Sequence, residues 1–147
     1  MTTSIQHKIA DIMSRQVLVA HPDHEFLPLC RLFLLMNIHH LPVVQKDNGE
    51  ILGILSANDV LRAFSFKLPE LGRLDEATLN KHFSVLDLMT PHPLQTISPE
   101  DPISLAARIF SERNISSLPV VEEGKLVGIV TNRDIVKFYS RNATGQA

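Results

Sequence analysis

An internal repeat constrains the fold of this 147-residue chain more than any other feature of its sequence. The stretch from Asn37 to Asp59 is written a second time from Asn114 to Asp134, with the same order of apolar, glycine and acidic positions. The two copies are offset by 77 residues before a turn and by 75 residues after it, so the turn in the first copy is two residues longer. A repeat of this length indicates one supersecondary unit used twice.

The repeat also sets the domain organisation. We place repeat 1 at residues 5–66, a linker at residues 67–83 and repeat 2 at residues 84–140. Units of roughly 60 residues are marginally stable alone, because too little of their surface is buried on folding. The two repeats are therefore expected to share a core. The linker has no counterpart in the repeat, and the alternative to a simple connection is a functional lid.

Hydrophobic periodicity predicts the order strand, helix, strand, strand, helix within each repeat. In repeat 1 the predicted elements are a first strand at 17–20, a helix from 26 to 36, a hairpin at 41–55 and a final helix from 56 to about 66. In repeat 2 they are a first strand at 94–97, a helix from 102 to 113, a hairpin at 118–130 and a final helix from 131 to about 140. Both hairpins contain a glycine turn. The unit therefore belongs to the α+β class.

Polar residues mark the ends of the first long helix in each repeat. Asp101 is predicted as the N-cap in repeat 2, with Pro102 as the first helical residue. Asn37 and Asn114 follow the two helices, and asparagine suits a left-handed exit turn.

A short amphipathic helix is predicted ahead of each repeat. These helices run from Ile5 to Met13 and from Val85 to Met89, where apolar residues return at helical spacing. Ser84 can cap the second one, with Asp87 three places on. A further short helix is predicted within the linker, at residues 75–82, after Pro69 and Gly72.

Composition limits the classes of function. Hydrophobic residues make up 44% of the chain and charged residues 20%, which is typical of a globular protein. A formal charge of -2 gives no basic surface for a nucleic acid. No apolar run is long enough for a membrane span, and no charged-then-apolar leader opens the chain. We expect a cytoplasmic protein with no membrane and no nucleic-acid partner.

Two acidic motifs at equivalent positions are the candidates for chemistry. Ser56-x-x-Asp59 and Thr131-x-x-Asp134 both stand where a strand leads into a helix. A reciprocal capping box explains both motifs on structural grounds alone. The same helix N-terminus is also a natural phosphate site, because its backbone N–H groups are free and the helix dipole favours an anion. A glycine early in the preceding strand lets another group approach the backbone closely.

The complete pattern resembles the cystathionine β-synthase (CBS) domain. The motif begins with Asp-Ile/Leu-Met, followed by a first strand that is closed by x-x-Pro, and then by a helix. It continues with Asn-Ile-x-x-Leu-Pro-Val-Val, a glycine turn and Gly-h-h-Ser/Thr-x-x-Asp, where h is apolar. The whole motif occurs twice between residues 5 and 139. The resemblance implies two pseudo-symmetric β-α-β-β-α repeats packed sheet to sheet as one CBS domain pair. It also implies two clefts for an adenosine-containing ligand.

The family's functional positions can be carried over residue by residue. By that resemblance Asp134 and Asp59 receive the ribose hydroxyls, Thr131 and Ser56 lie by the phosphates, and the first strand and the residues before Leu-Pro-Val contact the base. A carboxylate can accept both hydroxyls of a cis diol. The implied ligand-binding residues are Thr96, Ile97, Ser116, Ser117, Leu118, Pro119, Thr131, Arg133 and Asp134 in repeat 2, and Val19, Ala20, His39, His40, Leu41, Pro42, Ser56 and Asp59 in repeat 1.

The two clefts do not match the family pattern equally. Repeat 2 has Thr96 and Arg133, a hydroxyl and a guanidinium, where repeat 1 has Val19 and Asn58. The cleft of repeat 2 is therefore predicted to bind more tightly. Both prolines of the Leu-Pro-Val motifs are expected at strand starts, where a missing N–H costs no ladder bond.

Four histidines distinguish repeat 1, at positions 21, 24, 39 and 40. They are interpreted as solvated surface residues or as contacts to a phosphate. A metal site is not expected, because neighbouring residues of an extended chain point to opposite faces and no acidic or sulfur ligand has suitable spacing. Cys30 lies on the apolar face of its helix and is interpreted as a core residue, not a nucleophile.

The resulting hypothesis is a regulatory module, in the manner of energy sensing, that binds AMP, ATP, another adenine nucleotide or an S-adenosyl compound. It is expected to form a homodimer and to act on a regulated protein partner. The alternative is a structural dimerisation module whose clefts are degenerate and unoccupied. An enzyme is not expected, because no Gly-x-x-x-x-Gly-Lys, His-Glu-x-x-His or Gly-x-Ser-x-Gly motif occurs.

Overall fold

Two antiparallel hairpins, one in each repeat, organise the computed structural model, which describes residues 6–71, 75–91 and 95–144. The strands are β1 His40–Val44, β2 Ile51–Ser56, β3 Thr90–Pro91, β4 Ser117–Glu122 and β5 Lys125–Thr131. Positive φ angles at Gly49 (74°), Glu123 (53°) and Gly124 (79°) turn the chain between the paired strands. The predicted hairpins and their glycine turns are confirmed.

Six helices and one turn of 3₁₀-helix, Ile9–Asp11, surround these strands among the described residues. The helices are α1 Phe26–Leu35, α2 Ala57–Leu71, α3 Glu76–His82, α4 Val85–Leu88, α5 Ile103–Glu112 and α6 Asn132–Thr144. The mixed helix and sheet content confirms the predicted class. The final helices α2 and α6 extend beyond the predicted ends near residues 66 and 140. No helix in the described ranges is both long and apolar enough to cross a bilayer.

The chain folds into two compact units that exchange the leading segments of the repeats. Unit 1 comprises Met1–Val17 with Gln95–Ala147, and unit 2 comprises Leu18–Leu94. In unit 1, Ser14 and Ile129 exchange two backbone hydrogen bonds of 2.9 and 3.0 Å. In unit 2, β3 pairs with β2 through Thr90 and Pro91. The segment that leads each repeat therefore completes the sheet of the other repeat.

Gly53 and Gly128 make this exchange sterically feasible. A Cβ atom on Gly53 would overlap the carbonyl oxygen of Thr90, and one on Gly128 would lie 2.9 Å from the carbonyl oxygen of Ser14. The close approach expected at these glycines is therefore made by the protein's own backbone.

Replacing Gly53 with alanine should destabilise unit 2 by about 1–3 kcal/mol, because the new methyl group forces β2 and β3 apart. Gly128→Ala is the matched control in unit 1, and it should cost less, since its Cβ would approach the Ser14 carbonyl oxygen only to 2.9 Å, whereas a Cβ on Gly53 would overlap the Thr90 carbonyl oxygen. Urea denaturation of both variants measures the difference. Equal stability of Gly53→Ala and the parent protein would contradict the close approach of β3.

Unit 2 has a hydrophobic core between α1, the hairpin and the segment that follows α2. Its fully or nearly buried residues are Ala20, Phe26, Leu29, Phe33, Leu41, Val43, Leu55, Val60, Leu79, Phe83 and Val85. The helix predicted in the linker is confirmed as α3, where the Asp75 carboxylate accepts from the Thr78 N–H at 2.9 Å. Leu79 and Phe83, which lie in the predicted linker, are part of this core. Gly72 lies outside the described residues, and α2 continues through Pro69.

Unit 1 has a corresponding core between α5, α6 and the second hairpin. Its buried residues are Ile9, Met13, Ile97, Ile103, Ala106, Ile109, Leu118, Val120, Val130 and Ile135. Ile9 and Met13 come from the leading segment of the chain, so this core also depends on the exchange.

The predicted helix from Ile5 to Met13 is wrong in extent and type, since only Ile9–Asp11 is helical and Ile5 lies outside the described residues. Lys8 is held in an extended conformation by a bridge to Pro102. Its N–H donates to the Asp11 carboxylate at 2.8 Å, which starts the turn at Ile9. The predicted helix at the head of repeat 2 is confirmed as α4, capped by the Ser84 hydroxyl, which accepts from the Asp87 N–H.

The predicted first strands are reduced to single bridges, Ala20 with Val43 and Ile97 with Val120. Ala20 donates to Pro42 at 2.9 Å and accepts from Val44 at 3.0 Å. The next N–H groups that a parallel ladder needs would belong to Pro42 on one side and Pro22 on the other, and proline has none. The same argument holds in repeat 2, and Leu94 lies outside the described residues.

Two predicted helix ends in repeat 2 are also wrong. Asp101 is not the N-cap of α5, which is Pro102, because the Asp101 carboxylate accepts from the Ser98 N–H at 2.8 Å and stabilises the preceding turn. Asn114 is not left-handed, because α5 already ends at Glu112 with Arg113 extended at φ -119°. Asn37 is confirmed in the left-handed region at φ 50°.

Candidate functional site

The Thr131 and Asp134 motif forms a capping box at the start of α6. The Asp134 carboxylate Oδ2 accepts from the backbone N–H of Thr131 at 2.9 Å and from its hydroxyl at 3.0 Å. The Thr131 Oγ1 in turn accepts from the Asp134 N–H at 3.2 Å. This arrangement fixes the carboxylate at the helix N-terminus, where the helix dipole favours negative charge.

The equivalent motif of repeat 1 forms the same box at the start of α2. The Asp59 Oδ2 accepts from the Ser56 N–H at 3.1 Å, and the Ser56 Oγ accepts from the Asp59 N–H at 3.0 Å. In both boxes the other carboxylate oxygen, Oδ1, accepts no hydrogen bond from the described residues. Each half-buried aspartate thus keeps an acceptor that a ligand hydroxyl could use.

The chain leading into each hairpin is joined to the same helix N-terminus. The Asn132 N–H donates to the Ser116 carbonyl at 3.0 Å, and the Ala57 N–H donates to the His39 carbonyl at 2.9 Å. The predicted positions before Leu-Pro-Val therefore lie next to the predicted positions of the acidic motif in both repeats. The motif Leu-Pro-Val and the motif Ser/Thr-x-x-Asp belong to one local site in each unit.

Ser117 carries an unsatisfied hydroxyl within this site. It is 8% exposed, its Cα lies opposite Thr131 in the β4–β5 ladder, and its Oγ has no hydrogen-bond partner in the part of the chain that the structure describes. Buried hydroxyls are normally hydrogen-bonded, so this atom needs an explanation. A hydrogen bond to a polar group of a bound ligand is an explanation that agrees with the location of Ser117.

His40 occupies the position of Ser117 in repeat 1, opposite Ser56 in the β1–β2 ladder. Burial lowers the pKa of His40, the neighbouring His39 lowers it further, and Asp59 opposes both effects. These effects together favour the neutral imidazole of His40 more than in an ordinary histidine. Repeat 1 offers a neutral ring where repeat 2 offers a small hydroxyl.

Several predicted site residues lie in the hydrophobic cores. Ala20 and Leu41 are 0% exposed in unit 2, and Ile97 and Leu118 are 3% and 0% exposed in unit 1. The backbone N–H and carbonyl groups of Ala20 and Ile97 are already used in the parallel bridges. Their assignment as base contacts stays a prediction, and the neighbouring half-buried Val19 and Thr96 are better exposed for such contacts.

The expectation that Pro42 and Pro119 begin their strands is wrong. Each is the third residue of its strand, nearly fully buried, and paired with the neighbouring strand opposite Ile54 or Ile129. On the other side, each proline carbonyl accepts from the first segment of its repeat. These prolines limit the parallel pairing to one residue, as described above.

Asp134 also lines a groove of about 310 Å³ that runs along α6. The other lining residues are Asp11, Ile12, Lys137, Phe138, Arg141 and Asn142. Sequence reasoning missed these residues. A signal was present, because positions 134, 137, 138 and 141 share one face of a helix. The contribution of Asp11 depends on the exchanged leading segment, which no pattern in the sequence indicated.

The histidines of repeat 1 do not assemble a metal site in the described chain, where no group of three or more histidine, cysteine or acidic residues could hold an ion. His21 donates its backbone N–H to His24 Nδ1 at 3.1 Å, and the His21 Nδ1 lies 3.1 Å from the Val44 carbonyl oxygen. His21 and His24 therefore stabilise the turn that leads into α1.

Comparison with known proteins identifies both repeats. The family model described as CBS domain matches residues 9–65 and 85–141. The structure of CBSX2 in complex with AMP is similar with a TM-score of 0.77 at 28% identity, covering 93% of this chain and 98% of that one. CBSX2 is a protein of Arabidopsis thaliana.

Two other comparisons agree with this match. The structure of the CBS domain pair of protein MJ0100 with 5′-methylthioadenosine and S-adenosyl-L-methionine has a TM-score of 0.74 at 25% identity, covering 93% of this chain and 98% of that one. An L-aspartate semialdehyde sulfurtransferase of Methanocaldococcus jannaschii is 28% identical over 132 residues, which is 89% of this chain and 23% of the relative. This chain spans less than half the length of the first curated relatives it matches.

Proposed function

The chain belongs to the CBS domain family, and we propose that it is a regulatory module that senses an adenine nucleotide or another adenosyl ligand. The observation that carries the proposal is the unsatisfied Ser117 hydroxyl, buried opposite Thr131 at the N-terminus of α6. Two neighbouring features could interact with the same ligand. The Asp134 Oδ1 can accept a hydrogen bond, and the dipole of α6 favours an anionic group at its N-terminus.

Related structures support the class of ligand. CBSX2 holds AMP, and the domain pair of MJ0100 holds 5′-methylthioadenosine and S-adenosyl-L-methionine. Those ligands share an adenosine and differ in the substituent at the 5′ position. We therefore assign the ribose diol to Asp134 and Asp59 and the 5′ substituent to the side of Thr131 and Ser56. AMP, ADP, ATP and S-adenosyl compounds are the candidates.

A ligand panel with thermal unfolding tests the proposal. A ligand present at about 100 times its dissociation constant should stabilise the protein by about 2.7 kcal/mol. Adenosine, AMP, ADP, ATP, 5′-methylthioadenosine and S-adenosylmethionine are compared with GMP as the control for the base. The absence of stabilisation by every adenosine-containing compound would refute the proposed function. Native mass spectrometry of the freshly purified protein provides an independent check, because a co-purified ligand reports its own mass.

A structural dimerisation module is the second candidate, favoured by apolar side chains that the described chain leaves exposed. Leu34 and Leu35 at the end of α1 are 82% and 80% exposed. Leu61 and Val136, at equivalent positions of α2 and α6, are 63% and 66% exposed. Such surfaces commonly mark interfaces, and we propose a homodimer in either case. Dimers whose stability is independent of all adenosyl ligands would favour this second candidate.

Catalysis by this chain is not part of the proposal. The Cys30 thiol is the one cysteine, and burial raises its pKa to about 11, so it is protonated and a poor nucleophile near neutral pH. The sulfurtransferase relative is much longer than this chain, and the match covers 23% of it. We propose instead that ligand occupancy is passed to a regulated protein partner in the cytoplasm, as energy sensing would require.

A further inference from the structure

Two equivalent turns, one before α1 and one before α5, are closed by different side chains. From this difference we infer that repeat 1 contains an acid-sensitive turn, which mild acid weakens while the equivalent turn of repeat 2 stays closed. The inference gives a role to two of the histidines that distinguish repeat 1, His21 and His24. It concerns the fold of this repeat and does not require a ligand.

The backbone of the two turns is the same. The His24 N–H donates to the His21 carbonyl at 3.1 Å, and the Asp101 N–H donates to the Ser98 carbonyl at 3.1 Å. The two pairs are equivalent in the repeat, because they are offset by 77 residues. In each turn the side chain of the fourth residue also accepts the backbone N–H of the first. A difference in the response to acid is therefore expected to come from that acceptor.

The acceptor is an imidazole in repeat 1 and a carboxylate in repeat 2. The His24 Nδ1 accepts from the His21 N–H at 3.1 Å, and the Asp101 Oδ2 accepts from the Ser98 N–H at 2.8 Å. A ring nitrogen accepts a hydrogen bond only while it carries no proton, so this bond requires a neutral His24 ring. Carboxylates stay ionised down to about pH 4, whereas histidine takes up its proton between about pH 8 and about pH 5. The side-chain bond of repeat 1 is therefore present above that range and is lost as the pH falls through it.

The ring of His21 adds to this effect. Its Nδ1 lies 3.1 Å from the Val44 carbonyl oxygen, so this nitrogen carries the proton of the neutral ring, because a carbonyl can only accept. The centroids of the His21 and His24 rings are 5.0 Å apart. Protonation of both rings places two like charges at this distance, which favours opening of the turn.

The turn adjoins the candidate site of repeat 1. Ala20 directly precedes it and is joined to β1 by two backbone hydrogen bonds. The His21 ring contacts the Val44 carbonyl of the same strand. Val19, one of the predicted ligand contacts, comes just before Ala20. A weaker turn therefore loosens the first segment of repeat 1 and leaves that of repeat 2 in place.

His40 acts in the same direction elsewhere in the repeat. Burial lowers its pKa, His39 lowers it further, and Asp59 opposes both effects. Folding therefore favours the neutral ring, and this contribution to stability is also lost as the pH falls.

Other titratable groups near α1 do not share this direction. His82 lies in the last turn of α3, where the helix dipole favours a charged ring and so opposes a loss of stability in acid. Asp23 and Glu25 flank His24 and are exposed, so salt screens their charges. A decisive measurement must therefore report on the turn itself and not on the stability of the whole unit.

Amide hydrogen exchange, measured residue by residue by NMR, tests the inference. Between about pH 7.5 and about pH 5.5, after correction for the intrinsic exchange rate, protection of the His21 amide should fall about 5-fold, since one hydrogen bond contributes about 1 kcal/mol. Protection of the Ser98 amide should not change. His24→Asp, which places the acceptor of repeat 2 in repeat 1, should make the His21 amide insensitive to acid as well. Asp101→His, the reciprocal change, should transfer the loss to Ser98. Urea unfolding near neutral pH confirms that each variant is folded.

The reciprocal variants make each outcome decisive. Equal protection of the His21 amide at both pH values would show that the turn does not respond to acid. An undiminished loss at His21 in His24→Asp would assign the response to another group, and an equal loss at Ser98 in the parent protein would show that the imidazole is not its cause. A His21 amide that is unprotected even near neutral pH would show that the bond to His24 is not formed. If Asp101→His does not fold, His24→Asp decides alone.

Discussion

Asp134→Ala should weaken binding of the preferred adenosyl ligand by about 10-fold to 150-fold. The lost interaction is a hydrogen bond to a charged group, which contributes about 1.5–3 kcal/mol. The contribution should be largest at Asp134, because Ser117, whose hydroxyl has no partner among the described residues, lies across the β4–β5 ladder from Thr131. Isothermal titration calorimetry of the variant and the parent protein measures the change.

The same substitution also removes a helix cap, and the two effects must be separated. Asp134 accepts both the N–H and the hydroxyl of Thr131, and loss of an N-cap interaction costs about 1 kcal/mol of stability. Asp134→Asn keeps the shape and one acceptor but removes the charge. A variant that keeps the cap, measured by urea denaturation, and still loses affinity assigns the loss to the ligand.

Asp59→Ala is the matched variant in repeat 1, where the cap is the same. We expect a smaller loss of affinity at the dominant site, because the position of Thr96 is Val19 in this repeat and that of Arg133 is Asn58. If Asp59→Ala abolishes binding and Asp134→Ala leaves it intact, our assignment of the principal cleft to repeat 2 is wrong.

The hairpins and the capping boxes could be predicted from sequence because their determinants are local. A turn glycine with apolar residues on both sides specifies its own pairing, as at Gly49 and Gly124. A hydroxyl residue followed three places later by an aspartate specifies its own hydrogen bonds, as in Thr131 and Asp134. In such cases the partner is a few residues away, and spacing alone identifies it.

The exchange of leading segments could not be predicted in this way. The Ile9 and Ser14 segment resembles its counterpart in repeat 2, and the periodicity of the repeat does not say which hairpin it joins. Only the glycines at positions 53 and 128 indicate that another backbone segment approaches these strands closely, and they do not identify that segment. The contribution of Asp11 to the groove was missed for this reason, since Asp11 lies beside α6 only through the exchange.

The single-residue first strands depend on a rule that sequence could have revealed. Prolines at 42 and 22, and again at 119 and 99, remove the N–H groups on both sides of each bridge. The short apolar run at 17–20 predicted a strand because such a run indicates burial, and Ala20 is indeed fully buried. Hydrogen bonding along that segment was limited by one proline just after it and by another in the partner strand.

Phe83→Ala should destabilise unit 2 by about 3–5 kcal/mol, the largest effect we expect for a single substitution. The side chain is 1% exposed and stacks on Phe26 with ring centroids 4.8 Å apart. It also contacts the Phe64 ring at 5.2 Å. Truncation removes these aromatic contacts and leaves a cavity between α1 and α2. Urea denaturation measures the loss, and Phe66→Ala is the control, since this exposed ring on α2 should cost less than about 0.5 kcal/mol.

This prediction also decides between the two roles considered for the segment at residues 67–83. A lid must leave its contacts in order to open, and here opening would withdraw Phe83 from two aromatic rings and Leu79 from the core. A cost of several kcal/mol would keep such an open state below about 1% of the population. Hydrogen exchange at α3 should then be protected to nearly the same degree as α1. A Phe83→Ala variant as stable as Phe66→Ala would show that the segment is not part of the core and would restore the lid as the better interpretation.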